Sequence, residues 1–226
     1  MTDARHSPWV ARMLREPANS LTHLLGVGLS IAGLVVLLVL AAGDPLRVAS
    51  FAVYGGSLVL LYTASTLLHA VRARPEVLRR LRIFDHAAIF VLIAGTYTPI
   101  TLVSLRMVAP VWGWALFATA WGFALLGVLF KVAWIGAPRW LSTSLYVALG
   151  WMAVLAVVPM MEAFAAGALA WLFGGGLAYT LGAVVYATRR PDPWPRVFGF
   201  HALWHLFVLL GSACHFVMVL KYIALA

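Results

Sequence analysis

His201-Ala-Leu-Trp-His205 sets two imidazoles four residues apart. On a helix they share one face, the spacing by which a single helix supplies two ligands to one metal ion. Ser65-Thr-Leu-Leu-His69 repeats that interval with a hydroxyl and a third imidazole. Three imidazole nitrogens, with the fourth tetrahedral position left to water, are the donor set of a catalytic zinc site. Asp85 could accept a hydrogen bond from that water and act as general base, with Ser65 orienting the water or a ligand.

The elements that must position these residues follow from composition. Of 226 residues, 64% are hydrophobic and 10% charged, with a mean hydropathy of +0.97, whereas a soluble domain carries about 25% charged residues. A water-soluble globule is excluded, and lipid must solvate most of these side chains. Seven apolar runs lie near 21–42, 48–71, 83–105, 107–130, 140–161, 163–188 and 197–220, each long enough to cross a bilayer core of about 30 Å. They are too long and unbroken for the roughly ten-residue alternating strands of a membrane barrel. The first run also exceeds the apolar core of about 7 to 15 residues that marks a signal peptide. The expected fold is an all-α seven-transmembrane helix bundle, with residues 1–20 as a cytoplasmic N-terminal segment and 21–226 as one transmembrane domain.

Charge placement orients the bundle. The net charge of +9 would suggest nucleic acid in a soluble protein, but here it follows topology. Arg5, Arg12 and Arg15 precede helix 1; Arg72, Arg74, Arg79, Arg80 and Arg82 join helices 2 and 3. Lys131 and Arg139 join helices 4 and 5, and Arg189, Arg190 and Arg196 join helices 6 and 7. The opposite side holds Arg47, Arg106 and Lys221. By the positive-inside rule the N-terminus is cytoplasmic and the C-terminus external.

Depth then brings the chemistry together. At 1.5 Å per residue, His69 and Asp85 lie about 5 Å inside the cytoplasmic boundary, and His201 and His205 about 8 and 14 Å. Four residues from three helices thus share one layer, where an ionisable group costs roughly 2.5 to 3.5 kcal/mol at a helix centre and so points to function. Packing roles are the alternative: histidines bonded to neighbouring helices, Asp85 anchored by Arg82, Ser65 bonded to its own helix. His86 points about 100° away from Asp85 and reads as a structural hydrogen-bond former. His23, with Asn19 and Glu16, could form a supporting or entry-gate cluster, while His215 lies about 15 Å beyond His205 and cannot share its metal. Tyr97 and Thr98 are read as bonding backbone or water. The tryptophans, including Trp112, Trp140 and Trp204, read as an interfacial belt.

Glu16-Pro-Ala-Asn19-Ser-Leu-Thr-His23, Ser65-Thr-Leu-Leu-His69, Asp85-His86-Ala-Ala-Ile-Phe, Ile93-Ala-Gly-Thr-Tyr-Thr-Pro99, His201-Ala-Leu-Trp-His205 and Cys214-His215-Phe together give a resemblance spanning almost the whole chain. It resembles the hemolysin III family, the bacterial branch of the progestin and adiponectin receptor group, within the wider superfamily that includes alkaline ceramidases. The resemblance implies a zinc ion (Zn2+) held by His69, His201 and His205, a water near Asp85, and Ser65 beside the site. It also implies a multi-pass protein of the cell (inner) membrane and, by analogy with the ceramidases, hydrolysis of a ceramide-like lipid amide drawn from the bilayer. The hormone-receptor role is not implied, because the chain lacks the long N-terminal region of the animal receptors.

Two other functions compete with the enzyme. A non-catalytic membrane regulator would use the zinc to tie helices 2, 3 and 7 together. A cytolytic pore, suggested by the family name, would be expected to show polar stripes along several helices, yet the spans are nearly devoid of charge. A retinal-type photoreceptor would need a mid-helix lysine, and Lys131 and Lys221 sit near helix ends. Nucleic acid is not an expected partner.

Overall fold

The computed structural model describes residues 13–195 and 197–226; Arg5, Arg12 and Arg196, counted above among the inner cations, lie outside them. Among the described residues, seven helices are long and apolar enough to cross a membrane: α1 Pro17–Leu40, α2 Pro45–Ala70, α3 Pro75–Val108, α4 Pro110–Ala133, α5 Arg139–Ala163, α6 Ala166–Thr188 and α7 Phe200–Ala224. The chain is thus an all-α, multi-pass integral membrane protein. Proline opens α1, α2, α3 and α4, where its missing N–H would have no intrahelical acceptor. Asp44 caps α2 by accepting from the backbone N–H groups of Leu46 and Arg47, both at 3.0 Å.

Two boundaries differ from the expectation. α1 starts at Pro17, inside the segment assigned to the N-terminal tail. α3 starts at Pro75 rather than near residue 83, so Arg79, Arg80 and Arg82 stand on its first turns instead of in a loop. Hydropathy ends a span where charge begins, but arginine, leucine and glutamate are good helix formers in water, so the helix outlasts the apolar run.

α3 is the central helix. In its apolar stretch 72% of residues are buried, against 28% in α1 and α4. Pro99 interrupts its ladder, and a π-helical segment, Ile100–Leu105, follows. The hydroxyls of Thr96, Thr98 and Thr101 each donate to the carbonyl one turn back, keeping polar groups satisfied where lipid cannot do so. α3 packs closely on α4 at Gly127, where any Cβ would overlap the Phe90 ring.

α2 and α7 are joined at two levels above the predicted ligands. Tyr62 of α2 donates to Ser212 of α7 at 2.7 Å, and the Tyr179 hydroxyl of α6 meets the same Ser212 oxygen at 2.7 Å. At the end far from the arginine cluster, the Arg47 guanidinium donates to the carbonyls of Ile223 and Ala224. His215 secures α7 to α6 by bonding the Leu172 carbonyl at 3.0 Å, with its ring against Gly175.

Replacing Gly127 by valine is expected to lower stability by about 1–3 kcal/mol through overpacking. Gly122→Ala, where an added Cβ meets nothing within 4 Å, should not lower the melting temperature of the detergent-purified protein. Equal midpoints for both variants in a thermal melt would contradict the α3–α4 packing.

Candidate metal centre

Three imidazoles from α2 and α7 converge at the arginine-rich end. His69 Nε2 and His201 Nε2 are 3.2 Å apart, and the His205 ring centre lies 5.1 Å from that of His69 and 4.7 Å from that of His201. One nitrogen of each ring falls within 4.8 Å of the others. Ligands at about 2.0–2.1 Å from a tetrahedral zinc are about 3.3 Å apart, so the His69–His201 spacing fits two ligands of one ion. His205 Nε2 is buried without a hydrogen-bond partner, a costly state for a bare lone pair unless something binds it.

The other nitrogens explain why the Nε2 atoms are free. Glu16 Oε2 lies 2.6 Å from His69 Nδ1, and a carboxylate there requires Nδ1 to carry the proton. His205 Nδ1 lies 3.2 Å from the Asn19 carbonyl and 3.2 Å from the Thr22 hydroxyl oxygen. A carbonyl only accepts, so Nδ1 is again the donor. Both arrangements turn an Nε2 lone pair toward the common point, the usual partnership behind a metal-bound histidine.

Glu16 is itself fixed. Asn19 Nδ2 donates to it at 2.8 Å and Arg15 pairs with its other oxygen at 3.0 Å. Burial alone would raise the carboxyl, but hydrogen bonds from His69 and Asn19, with the charges of His69 and Arg15, outweigh it and hold the pKa at about 2. The Glu16 and Arg15 backbone N–H groups donate to the carbonyls of His69 and Ala70 at 3.0 and 3.2 Å. The chain entering α1 is thereby strapped to the end of α2 and satisfies carbonyls that a helix end leaves open.

Asp85 and Ser65 are both buried, and Ser65 lies close enough to act on the Asp85 carboxyl. Asp85 and His23 line a cavity of about 140 Å³ that extends among apolar side chains, including Ile93, Met160 and Leu172, as far as His215. His23 is buried and stacks on His205, with centroids 3.6 Å apart at 14°. His86 lines the same cavity, and its carbonyl accepts from the Tyr146 hydroxyl at 3.2 Å. His215 lies outside the three-histidine group, while Tyr97 donates to the Gly150 carbonyl at 2.8 Å and Thr98 to that of Ala94.

Sequence reasoning missed two contributors. Trp204, assigned to the interfacial belt, instead packs inward, 5.0 Å from His201 and 4.5 Å from Tyr186 between ring centres. Its position between His201 and His205 was the available signal, since residues three apart share a helix face. Thr22 was read as part of a motif without a partner, and only the packing of α1 on α7 supplies one.

A family model described as haemolysin-III related matches residues 11–216. Hemolysin-3 of Bacillus cereus is 40% identical over 210 residues, covering 92% of this chain and 91% of that protein. The hemolysin-3 homolog of Bacillus subtilis is 40% identical over 209 residues, covering 92% and 93%. Human monocyte to macrophage differentiation factor is 27% identical over 176 residues, covering 76% and 69%.

Glu16→Ala should weaken metal binding about 10- to 100-fold by releasing the outer nitrogen of His69. Competition with a chromophoric zinc chelator reads the change, and Glu76→Gln, on an exposed turn of α3, should leave affinity as it is. Unchanged affinity in Glu16→Ala would remove Glu16 from the centre.

Proposed function

This chain belongs to the haemolysin-III-related family, and we propose that it is a zinc-dependent intramembrane hydrolase of the cell (inner) membrane, cleaving a ceramide-like lipid amide. Its arginine-rich end then faces the cytoplasm, as the distribution of cations favours. The observation that carries this reading is the meeting of three imidazoles, one of them stacked on His23, which with one buried carboxylate, Asp85, lines an apolar cavity.

In this reading His69, His201 and His205 hold the zinc, and Glu16, Asn19 and Thr22 fix the tautomer and orientation of two of them. Nitrogen donors suit zinc better than magnesium or calcium, which prefer oxygen. Zinc bound there supplies Lewis acidity, lowering the pKa of water toward about 7 and polarising an amide carbonyl. Asp85 takes the proton from the attacking water and returns it to the departing amine, so water and amide become acid and amine. Ser65 keeps the Asp85 carboxylate aimed at that task. The apolar cavity seats hydrocarbon and keeps bulk water from the reacting groups.

Elemental analysis of protein purified without chelator should find near one zinc per chain, lost in His69→Ala and in His201→Ala. Asp85→Asn should keep the metal while turnover of a fluorescent ceramide falls about 10²- to 10⁴-fold, the usual worth of a general base. Full turnover in Asp85→Asn would overturn its role, and wild-type protein without metal would overturn the hydrolase reading.

A further inference from the structure

A second set of charged residues at the arginine-rich end is left unneutralised by the helix packing. Lys131, in the last turn of α4, is 1% exposed. Its ammonium donates to the neutral Ser142 hydroxyl and lies 5.1 and 6.0 Å from the ring centres of Phe130 and Tyr146. Arg139, the first residue of α5, lays its guanidinium 5.2 Å from the Tyr186 ring centre and 5.6 Å from that of Phe200. Its Nη1 is buried without an acceptor. Lys131, Arg82 and Arg139 all bear electrostatically on His86, and Arg82, Arg139 and Arg189 on Tyr186. Asp85 also acts electrostatically on Tyr186, but no ion pair among the described residues joins it to Lys131, Arg82 or Arg139.

The positive-inside rule explains why cations gather at this end but not why Lys131 and one guanidinium nitrogen of the half-buried Arg139 are covered. A lysine or arginine that only sets topology extends its apolar stem and keeps its charged head in water. A buried ammonium whose hydrogen-bond partner is a neutral hydroxyl, and a buried guanidinium N–H with no acceptor, are both costly. One anion held at the corner of the bundle where both cations act on His86 would relieve both. The start of α5 adds to the same field: Pro138 provides no side-chain cap, so the N–H groups of the first turn have no intrahelical acceptor. An ammonium, a planar guanidinium and an open helix N-terminus form the combination that recognises phosphate oxygens.

We propose that Lys131, Arg139 and the first turn of α5, with Arg82 at the rim, form a binding site for a phosphate group, as carried by an anionic phospholipid headgroup or by free phosphate. None of these residues belongs to the three-histidine group, so the site stands whether or not the metal centre hydrolyses a lipid. Binding there would tie α3, α4 and α5 together at the end of the bundle where the metal ligands lie.

The test uses the purified full-length chain in a nonionic detergent, titrated separately with dihexanoyl phosphatidic acid, dihexanoylglycerol and inorganic phosphate, with the thermal unfolding midpoint read by tryptophan fluorescence. Phosphatidic acid should raise the midpoint saturably and dihexanoylglycerol should not. Arg139→Gln should weaken the apparent affinity about tenfold or more, the worth of one charge-assisted hydrogen bond. Arg80→Gln, an exposed arginine at the same end, should bind as the wild type does. Lys131→Met should match Arg139→Gln; if it does not fold, Arg139→Gln carries the test. A response to inorganic phosphate that is lost in Arg139→Gln supports the site with an anion drawn from solution, and a response to the lipid alone supports a headgroup. Equal affinity in wild type and Arg139→Gln, or no saturable response to either phosphate, would overturn the proposal.

Discussion

A neutral imidazole has one ring lone pair to offer, and that lone pair faces a metal only when the other nitrogen carries the proton and a partner holds it. At this centre the partners come from the beginning of α1: Glu16 for His69, and the Asn19 carbonyl with the Thr22 hydroxyl for His205. α1 supplies none of the three grouped histidines, yet it fixes two of them. The backbone bonds from Arg15 and Glu16 to the end of α2 make this possible, because they seat the Glu16 carboxylate beside His69 before α1 turns into the bundle. Glu16 can act this way because it stays ionised: its pKa of about 2 leaves it a hydrogen-bond acceptor at any pH at which a histidine could ligate.

The distance between His69 and the α7 pair is set by contacts well away from them. α2 and α7 are joined at the Tyr62–Ser212 bond and again where Arg47 meets the last carbonyls of α7. In an apolar surround a hydroxyl without a partner costs several kcal/mol, so these pairings restrict how either helix can slide or rotate. Tyr179 shares the Ser212 oxygen and brings α6 into the same register. The layer of the three histidines is therefore the lowest of three levels, and contacts between helices at the other two set its spacing.

Much of this was legible because the sequence carries two independent coordinates. The i and i+4 interval placed His201 and His205 on one face, and distance from the flanking arginines placed His69 and Asp85 at nearly the same depth. Neither coordinate reports which way a helix is turned, so Trp204 was read as facing the interface when it packs beside the centre. Charge was the other source of error. Lys131 was counted as a loop cation and Arg79, Arg80 and Arg82 as a connection, because hydropathy treats any charge as the end of a span. In the fold the three arginines extend α3 into water while Lys131 is enclosed by α4 and α5. Those opposite fates depend on neighbours that one-dimensional hydropathy does not contain.

The composition of the centre bears on whether its metal would be structural or catalytic. Structural zinc sites are closed by four protein ligands, whereas a catalytic site leaves a position for water. Among the described residues the candidate group holds three histidines, and the nearby carboxylate is not one of its members. Asp85 instead lies near Ser65 and lines the cavity. His23 borders the same cavity while stacking on His205. A site whose purpose was to bind helices together would gain from enclosing Asp85 as a fourth ligand. The hydrolase proposed above uses Asp85 in that separate position, open to the cavity, as its general base.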